Sequence, residues 1–250
     1  LPTDYKRPAK KGIRGASKDF VIDKELLQNI QELSRQSGTT LFMTMLAVFK
    51  VLLFRYTGQQ DISVGTSIAN RPHHSVERLI GFFVNTLTLR SELDSSISFS
   101  DFLKQVKAAT LEAYEHQDVP FEKVVDAVVG ERDQSRSPLF QVMLVNQTIP
   151  DITEFSLGEV KLSKETFANE ISKFDLTFHI LETPNGIQGS VEYSTDLFRE
   201  ETIDRMVGHF TELLKSVVKD SKNQIGMLQM ISDSEKKKIL KEFGISEAVY

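Results

Sequence analysis

A two-layer α/β sandwich, a mixed sheet covered by helices, is the fold class this sequence predicts. Three observations predict it. Apolar residues recur at helical spacing in several segments, and strand-like alternation fills the stretches between them, most densely in the second half. One helical segment is apolar nearly all round, as a central covered helix would be. Helices of this kind must bury their apolar faces against something, and a single sheet is the partner that the strand segments supply.

Taken in order, residues Leu1–Gly15 hold two prolines, two glycines and the cations Lys6, Arg7, Lys10, Lys11 and Arg14. Proline fixes φ and disfavours helix before it, so this stretch reads as an extended, solvated connector. Asp23–Ser37 is an amphipathic helix on Leu26, Leu27, Ile30 and Leu33, with Gly38 as its stop. Thr40–Tyr56 is the apolar central helix, closed by Gly58, and Asp61–Ile68 and Val84–Leu93 alternate as strands. Ser100–Glu115 is helical again. Pro120 ends any continuation and starts a short helix, Phe121–Val129, before Gly130. Phe140–Asn146, Phe174–Glu182 and Ile187–Ser194 are strands, and Thr183–Gly186 (TPNG) joins the last two with an Asn-Gly hairpin signal. Arg199–Lys219 is a closing amphipathic helix. The tail, Asn223–Phe243, has an apolar strip and then a Lys-rich surface helix with Asp233 or Ser234 as N-cap.

Composition narrows the function. The chain has 250 residues, 40% of them hydrophobic, enough for one large domain or two small ones. Its net charge of −5 argues against a general nucleic-acid binder, which needs clustered Lys and Arg for phosphates. No cysteine is present, which excludes disulfides and thiolate metal sites and suits a cytoplasmic protein. The longest apolar stretch, Leu41–Phe54, is interrupted by Thr44 and Lys50 and is too short to span a bilayer. The first residues have no apolar signal-peptide core, so neither membrane nor export is expected. A start at Leu rather than Met has the look of an excised fragment.

Conventional catalytic signatures are missing. There is no phosphate loop of the Gly-x-x-x-x-Gly-Lys type and no Gly-x-Ser-x-Gly elbow. His179 alternates with Phe178 and Ile180 on a strand, and His209 falls among core positions of the last helix. No His-x-x-x-His or clustered carboxylate spacing accompanies the histidines, so no metal is expected. His73 and His74 sit in RPHHSVERLIG, which reads as a polar surface loop.

Three segments mix apolar residues with amide, charged or turn residues that a plain core would not require: Ile80–Arg90 (IGFFVNTLTLR), His116–Glu122 (HQDVPFE) and Arg132–Leu139 (RDQSRSPL). In the first, Gly81 permits close backbone approach, Phe82, Phe83 and Val84 look buried, and Asn85 and Thr86 follow directly. A buried amide is costly unless paired, so Asn85 should bind backbone, a side chain or a substrate. In the second, Asp118 is placed to cap the helix that Pro120 begins, with Glu122 near its positive end. In the third, Arg132, Asp133 and Arg136 are set to form an ion-pair cluster, with a functional contact as the alternative.

In this order the three segments resemble the last three signature motifs of the condensation domains of nonribosomal peptide synthetases, within the chloramphenicol-acetyltransferase-like acyltransferases. The resemblance runs from Leu1 to about Lys219. It implies a chloramphenicol-acetyltransferase-like lobe that is half of a two-lobed domain with a tunnel between the lobes. The expected division is an interlobe connector at 1–15, the C-terminal lobe at 16–222, and at 223–250 a linker towards an adenylation domain. The implied activity is amide formation between carrier-bound thioester and carrier-bound amine, with phosphopantetheine as the arm holding each substrate. Peptidyl carrier proteins, the N-terminal lobe and the adenylation domain are the implied partners. The cations of residues 1–15 could then meet an acidic carrier.

The same resemblance marks Gly81, Asn85, Thr86 and Arg90 as tunnel-side or interlobe candidates, with a turn amide as the alternative for Asn85 and an ion pair for Arg90. The family's catalytic motif, His-His-x-x-x-Asp-Gly, is missing: aligned on His73 and His74, it would put Arg78 and Leu79 at the Asp and Gly. No catalytic residue is therefore expected in this chain, and the fragment alone should be inactive. Two other classes stay open. One is a lobe of a coenzyme A-dependent acyltransferase, and the other is a non-catalytic module that docks carrier proteins.

Overall fold

The computed structural model describes residues 1–71, 74–131, 133–147, 155–157, 160–162 and 170–243. In chain order its elements are β1 (Gly15–Asp23), α1 (Lys24–Ser37), α2 (Leu41–Thr57), β2 (Asp61–Ile68), α3 (His74–Glu77) and β3 (Asn85–Glu92). There follow α4 (Phe99–Glu115), α5 (Phe121–Val128), β4 (Val142–Gln147), β5 (Phe155–Leu157), β6 (Val160–Leu162), β7 (Leu176–Thr183) and β8 (Gly186–Ser194). The last are α6 (Glu200–Lys219), a 3-10 turn at Ile225–Met227, and α7 (Asp233–Phe243).

Local chemistry sets the helix ends. Asp23, Thr40 and Ser98 take extended backbone and accept from the amides of Leu26, Met43 and Asp101, satisfying orphan donors in the first turns of α1, α2 and α4. Gly38 and Gly58, at φ 60° and 67°, turn left-handed to stop α1 and α2 where a side chain would be strained. Six strands form one mixed sheet in the order β1-β8-β7-β4-β2-β3. β4 runs parallel to β7 and β2, and the remaining pairs are antiparallel. β5 and β6 form a separate two-stranded pair.

The core lies between this sheet and the helices. Every residue from Met43 to Leu53 is buried, so α2 is enclosed on all sides, with α1, α4 and α6 packed against it. Phe49, Phe178 and Phe210 meet at its centre at centroid distances of 4.9, 5.3 and 6.3 Å. Each such ring contributes roughly 1.5–3 kcal/mol by leaving water. No single helix among the described residues is long and apolar enough to cross a membrane.

Four expectations change. β1 is a strand beyond those expected: it lies at the sheet edge, where half-buried residues alternate with exposed ones, a weak signal to read from sequence. The TPNG hairpin turns on Pro184 and Asn185, because Gly186 already pairs with Thr183. Residues 1–15 are not simply solvated. Arg7 pairs with the buried carboxylate of Asp175, Arg14 with Asp196, and Lys11 bonds Ser137 and the carbonyl of Lys173. A buried carboxylate needs such a cation, and the strap supplies it. Finally, the segment at 80–84 is not a core segment, as its place beside the site makes clear.

Candidate functional site

The residues that could matter for chemistry gather where the loop before β3 meets the loop before α5. Asn70 begins the first loop in left-handed conformation, φ 48°. Arg71 then folds it: its Nη1 donates to the carbonyls of Val76, Glu77 (3.1 Å) and Leu79 (2.8 Å). The guanidinium also lies over the Phe83 ring, 4.1 Å from its centroid. Gly81 leaves room for that ring, since a Cβ there would approach it to 2.8 Å. With Phe83 drawn onto Arg71, its neighbours turn outward. Ile80 and Phe82 are fully exposed and Val84 is half exposed, which corrects the expectation that Phe82 and Val84 are buried and leaves only Phe83 partly covered. The apolar run signalled a core, but it lies in a loop beyond the sheet, with no layer above it.

Asn85 closes the site. Its Nδ2 donates to the carbonyls of Gln117 and Val119, both at 2.8 Å. Its Oδ1 accepts from the amides of Thr86 (2.9 Å) and Phe121 (3.1 Å). One amide thus ties the start of β3 to the HQDVPFE loop and caps α5 from a distance. The cap expected of Asp118 is not made: Pro120 occupies the cap position without a side-chain bond, and Asn85 from another element takes the Phe121 amide instead. Glu122 does stand in the first turn of α5. Asp118, Pro120, Phe121, Glu122 and Asn85 line a cleft of about 300 Å³ with Asn70, Phe82, Phe83, Val84 and Thr86. His116 ends α4 and is exposed.

The other candidates are spread around this cleft. Arg90 forms a bidentate pair with Asp61 across β2 and β3, at 2.8 and 2.9 Å, on the exposed surface. Arg132 lies outside the described residues. Asp133 accepts from the amide and hydroxyl of Ser135, bonds that hold its carboxyl below the usual range, and Arg136 stands 3.7 Å away. The expected cluster is thus a turn closed by Ser135, with Arg136 at its edge. The strap is attached to this turn, because Arg7 donates to the Ser135 carbonyl and the Lys11 amide to the Gln134 carbonyl.

His74, His179 and His209 are each engaged by a neighbouring side chain. His73 lies outside the described residues, and His74 is exposed and paired with Glu77 at 2.8 Å. His179 is held by Gln147, and burial lowers its pKa. His209 bonds Tyr56 and Glu235, away from the three motifs. Among the described residues no group of three or more His, Asp or Glu could hold a metal ion.

Two features are not legible in the sequence. Arg71 stands in a stretch that reads only as a polar loop, and nothing in its spacing reveals that it accounts for the loop's shape. Lys50, visible only as an interruption in an apolar helix, is fully buried with its Nζ 2.6 Å from the Ser91 hydroxyl. Desolvation lowers its pKa to about 7.

A helix-covered mixed sheet of this order is the chloramphenicol-acetyltransferase-like α/β lobe, as its structural neighbours confirm. The condensation domain family model matches residues 1–240, and the chain belongs to that family. It is 44% identical over its whole length to one of the linear gramicidin synthase proteins of Brevibacillus parabrevis, covering 5% of that relative. Against tyrocidine synthase 3 of Brevibacillus parabrevis it is 40% identical, over 96% of this chain and 4% of the relative. It thus spans a small fraction of the curated relatives it matches. Among solved structures it is similar to holo-AB3403, a four-domain nonribosomal peptide synthetase bound to AMP and glycine. The TM-score is 0.88 at 25% identity, over 94% of this chain and 19% of that one. The X-domain from teicoplanin biosynthesis in complex with OxyB matches at TM-score 0.83 and 26% identity, over 93% of this chain and 52% of that chain.

Proposed function

We propose that this chain is the second lobe of a condensation domain that forms peptide bonds in a nonribosomal peptide synthetase. In that reaction the amine nitrogen of a carrier-bound aminoacyl group attacks the thioester carbonyl of a carrier-bound acyl or peptidyl group. The C–N bond forms, the C–S bond breaks, the phosphopantetheine sulfur leaves, and the amine gives up a proton. On the resemblance, the proton acceptor comes from the first lobe, which would carry the family's His-His-x-x-x-Asp-Gly motif. The lobe's own contribution is a wall and the placement of two tethered reactants, an effect that can supply much of a rate enhancement. The interlobe connector at 1–15 and the linker at 223–250 belong to the same reading. So do peptidyl carrier proteins and an adenylation domain as partners, and a cytoplasmic setting.

The observation that carries this reading is the loop at 79–84. Arg71 and Asn85 hold it in a defined shape, yet it presents Ile80 and Phe82 fully to solvent beside the family's motif cleft. An ordered apolar projection of this kind fits a surface that a second lobe covers. The test is binding of the assembled two-lobe domain to carrier proteins with and without the phosphopantetheine arm, and to coenzyme A. Preference for the armed carrier supports the proposal. Preference for free coenzyme A indicates a coenzyme A-dependent acyltransferase, and equal binding of armed and bare carrier indicates a docking module.

A further inference from the structure

The end of α2 grips the tail of the chain at two points of different character. Arg55 donates from Nη1 to the carbonyls of Ile225 (3.4 Å), Gly226 (3.1 Å) and Leu228 (3.0 Å). Ile225 and Leu228 are themselves buried, so this part of the tail is held by apolar packing as well. The next residue, Tyr56, starts a hydrogen-bonded chain that ends on α7. Its hydroxyl lies 2.6 Å from His209 Nδ1, and His209 Nε2 lies 2.9 Å from Glu235 Oε2.

The direction of the protons follows from chemistry. An ionised carboxylate only accepts, so the imidazole must carry its proton on Nε2 and donate it to Glu235. In the neutral ring Nδ1 is then an acceptor, and the Tyr56 hydroxyl donates to it. Burial pushes the Tyr56 pKa up to about 12, which keeps that hydroxyl protonated and able to donate. His209 is buried and Glu235 is half-buried, whereas Asp233, Ser234 and residues 236–241 of α7 are all exposed. Ile239 and Leu240 are among the exposed ones, so none of the described apolar side chains of this helix anchors it in the lobe.

We infer that Tyr56, His209 and Glu235 form a hydrogen-bonded latch that fixes α7 on the lobe, and that the chain bends at Ile231 and Ser232 when the latch opens, just past Gln229, whose amide donates to Ser216 Oγ (3.0 Å), and Met230, which packs on the core. Arg55 and the packing of Ile225 and Leu228 hold the tail up to that bend in either state. The latch therefore sets the direction in which the chain leaves the lobe. That it thereby orients a following domain rests on the proposed synthetase reading; the latch itself does not.

The test uses the 250-residue chain, with amide hydrogen exchange over α6 and α7 and ¹⁵N chemical shifts of the His209 ring. In the parent protein, Nε2 should be the protonated nitrogen and the amides of 236–241 should be protected. Glu235→Ala should speed exchange at 236–241 by about ten- to a hundredfold, the loss expected for one charge-assisted bond. Amides of 203–217 should not change. Tyr56→Phe should leave the proton on Nε2, where Glu235 still accepts it, and speed exchange in α7 by a smaller factor. It leaves the core packing of the phenyl ring in place and so separates loss of the latch from loss of fold. Unchanged protection of α7 in Glu235→Ala overturns the inference, as does a parent ring protonated on Nδ1. If the synthetase reading fails but these exchange results hold, the latch stands without it.

Discussion

At Asn85 a single amide directs both of its donors and its oxygen to backbone on three segments, which makes the residue sensitive to the chemistry of each half separately. Asn85→Ala leaves two carbonyls and two amides without their partner, and should cost about 1–3 kcal/mol in chemical denaturation. Amide exchange should quicken over 117–124. Asn85→Asp is the sharper variant. It keeps the oxygen that caps Phe121 and adds a charge that suits the α5 N-terminus, but turns a carboxylate on the carbonyls of Gln117 and Val119. It should be at least as destabilising as Ala, and a variant as stable as the parent would show that only the cap matters. Lys50 poses the opposite problem, a cation where none is wanted. Its folded pKa, about 7, lies below the 10.5 of the unfolded chain. Between these values the unfolded state holds a proton that the folded state lacks, so stability rises with pH through that window. Below about pH 7 the amine is charged in both states and the full penalty, on the order of 5 kcal/mol, applies. Lys50→Met keeps the unbranched shape and removes the charge. Its urea midpoint at pH 7 should exceed the parent's and stay flat from pH 7 to 9, where the parent's rises. A lower midpoint for Met would show that the Ser91 bond outweighs desolvation.

The loop between β2 and β3 is the element whose design shows best when it is altered. Ile80 and Phe82 touch little in this lobe, so Ile80→Ser with Phe82→Ser should change its denaturation midpoint by no more than about 0.5 kcal/mol in free energy. The same pair should weaken association with the N-terminal lobe severalfold or more, read by titration calorimetry. Association that survives both substitutions would place the interlobe contact elsewhere. This loop also shows what could be read from the sequence. Elements with strong period and explicit caps, such as α1 between Asp23 and Gly38, were legible almost to the residue. The motif residues were legible as a set, but their partners were not. Asn85 reaches Gln117 and Phe121 more than thirty positions away, and that contact exists only after β3 and α5 are brought together. Arg71 and Phe83 are likewise paired by the turn between them rather than by any period. An apolar run such as Phe82–Val84 has the same composition whether it faces a core or solvent, so only the structure separates the two.

For the whole molecule the question is what a lobe with its own core can do alone. The core needs nothing from outside: α2 is enclosed, the three central rings pack on one another edge-to-face or tilted, and the strap at 1–15 is pinned by Arg7 to Asp175. The 250-residue chain should therefore fold alone. Catalysis is a different matter. The proposed reaction needs a second wall at the Asn85 cleft, and the sequence after His73-His74 places Arg78 where the family motif has Asp. His74, moreover, is an exposed partner of Glu77. Incubated with a loaded donor carrier and a loaded acceptor carrier, the chain should give no dipeptidyl product above the uncatalysed background. Adding the N-terminal lobe, fused or in trans, should raise the yield, and replacing both His73 and His74 with Ala in that assembly should leave it unchanged. Product from the lone chain at a rate comparable to the two-lobe domain would mean that the base is here after all. Loss of activity in the double-Ala assembly, with the fold intact, would point to that histidine pair as the place to look.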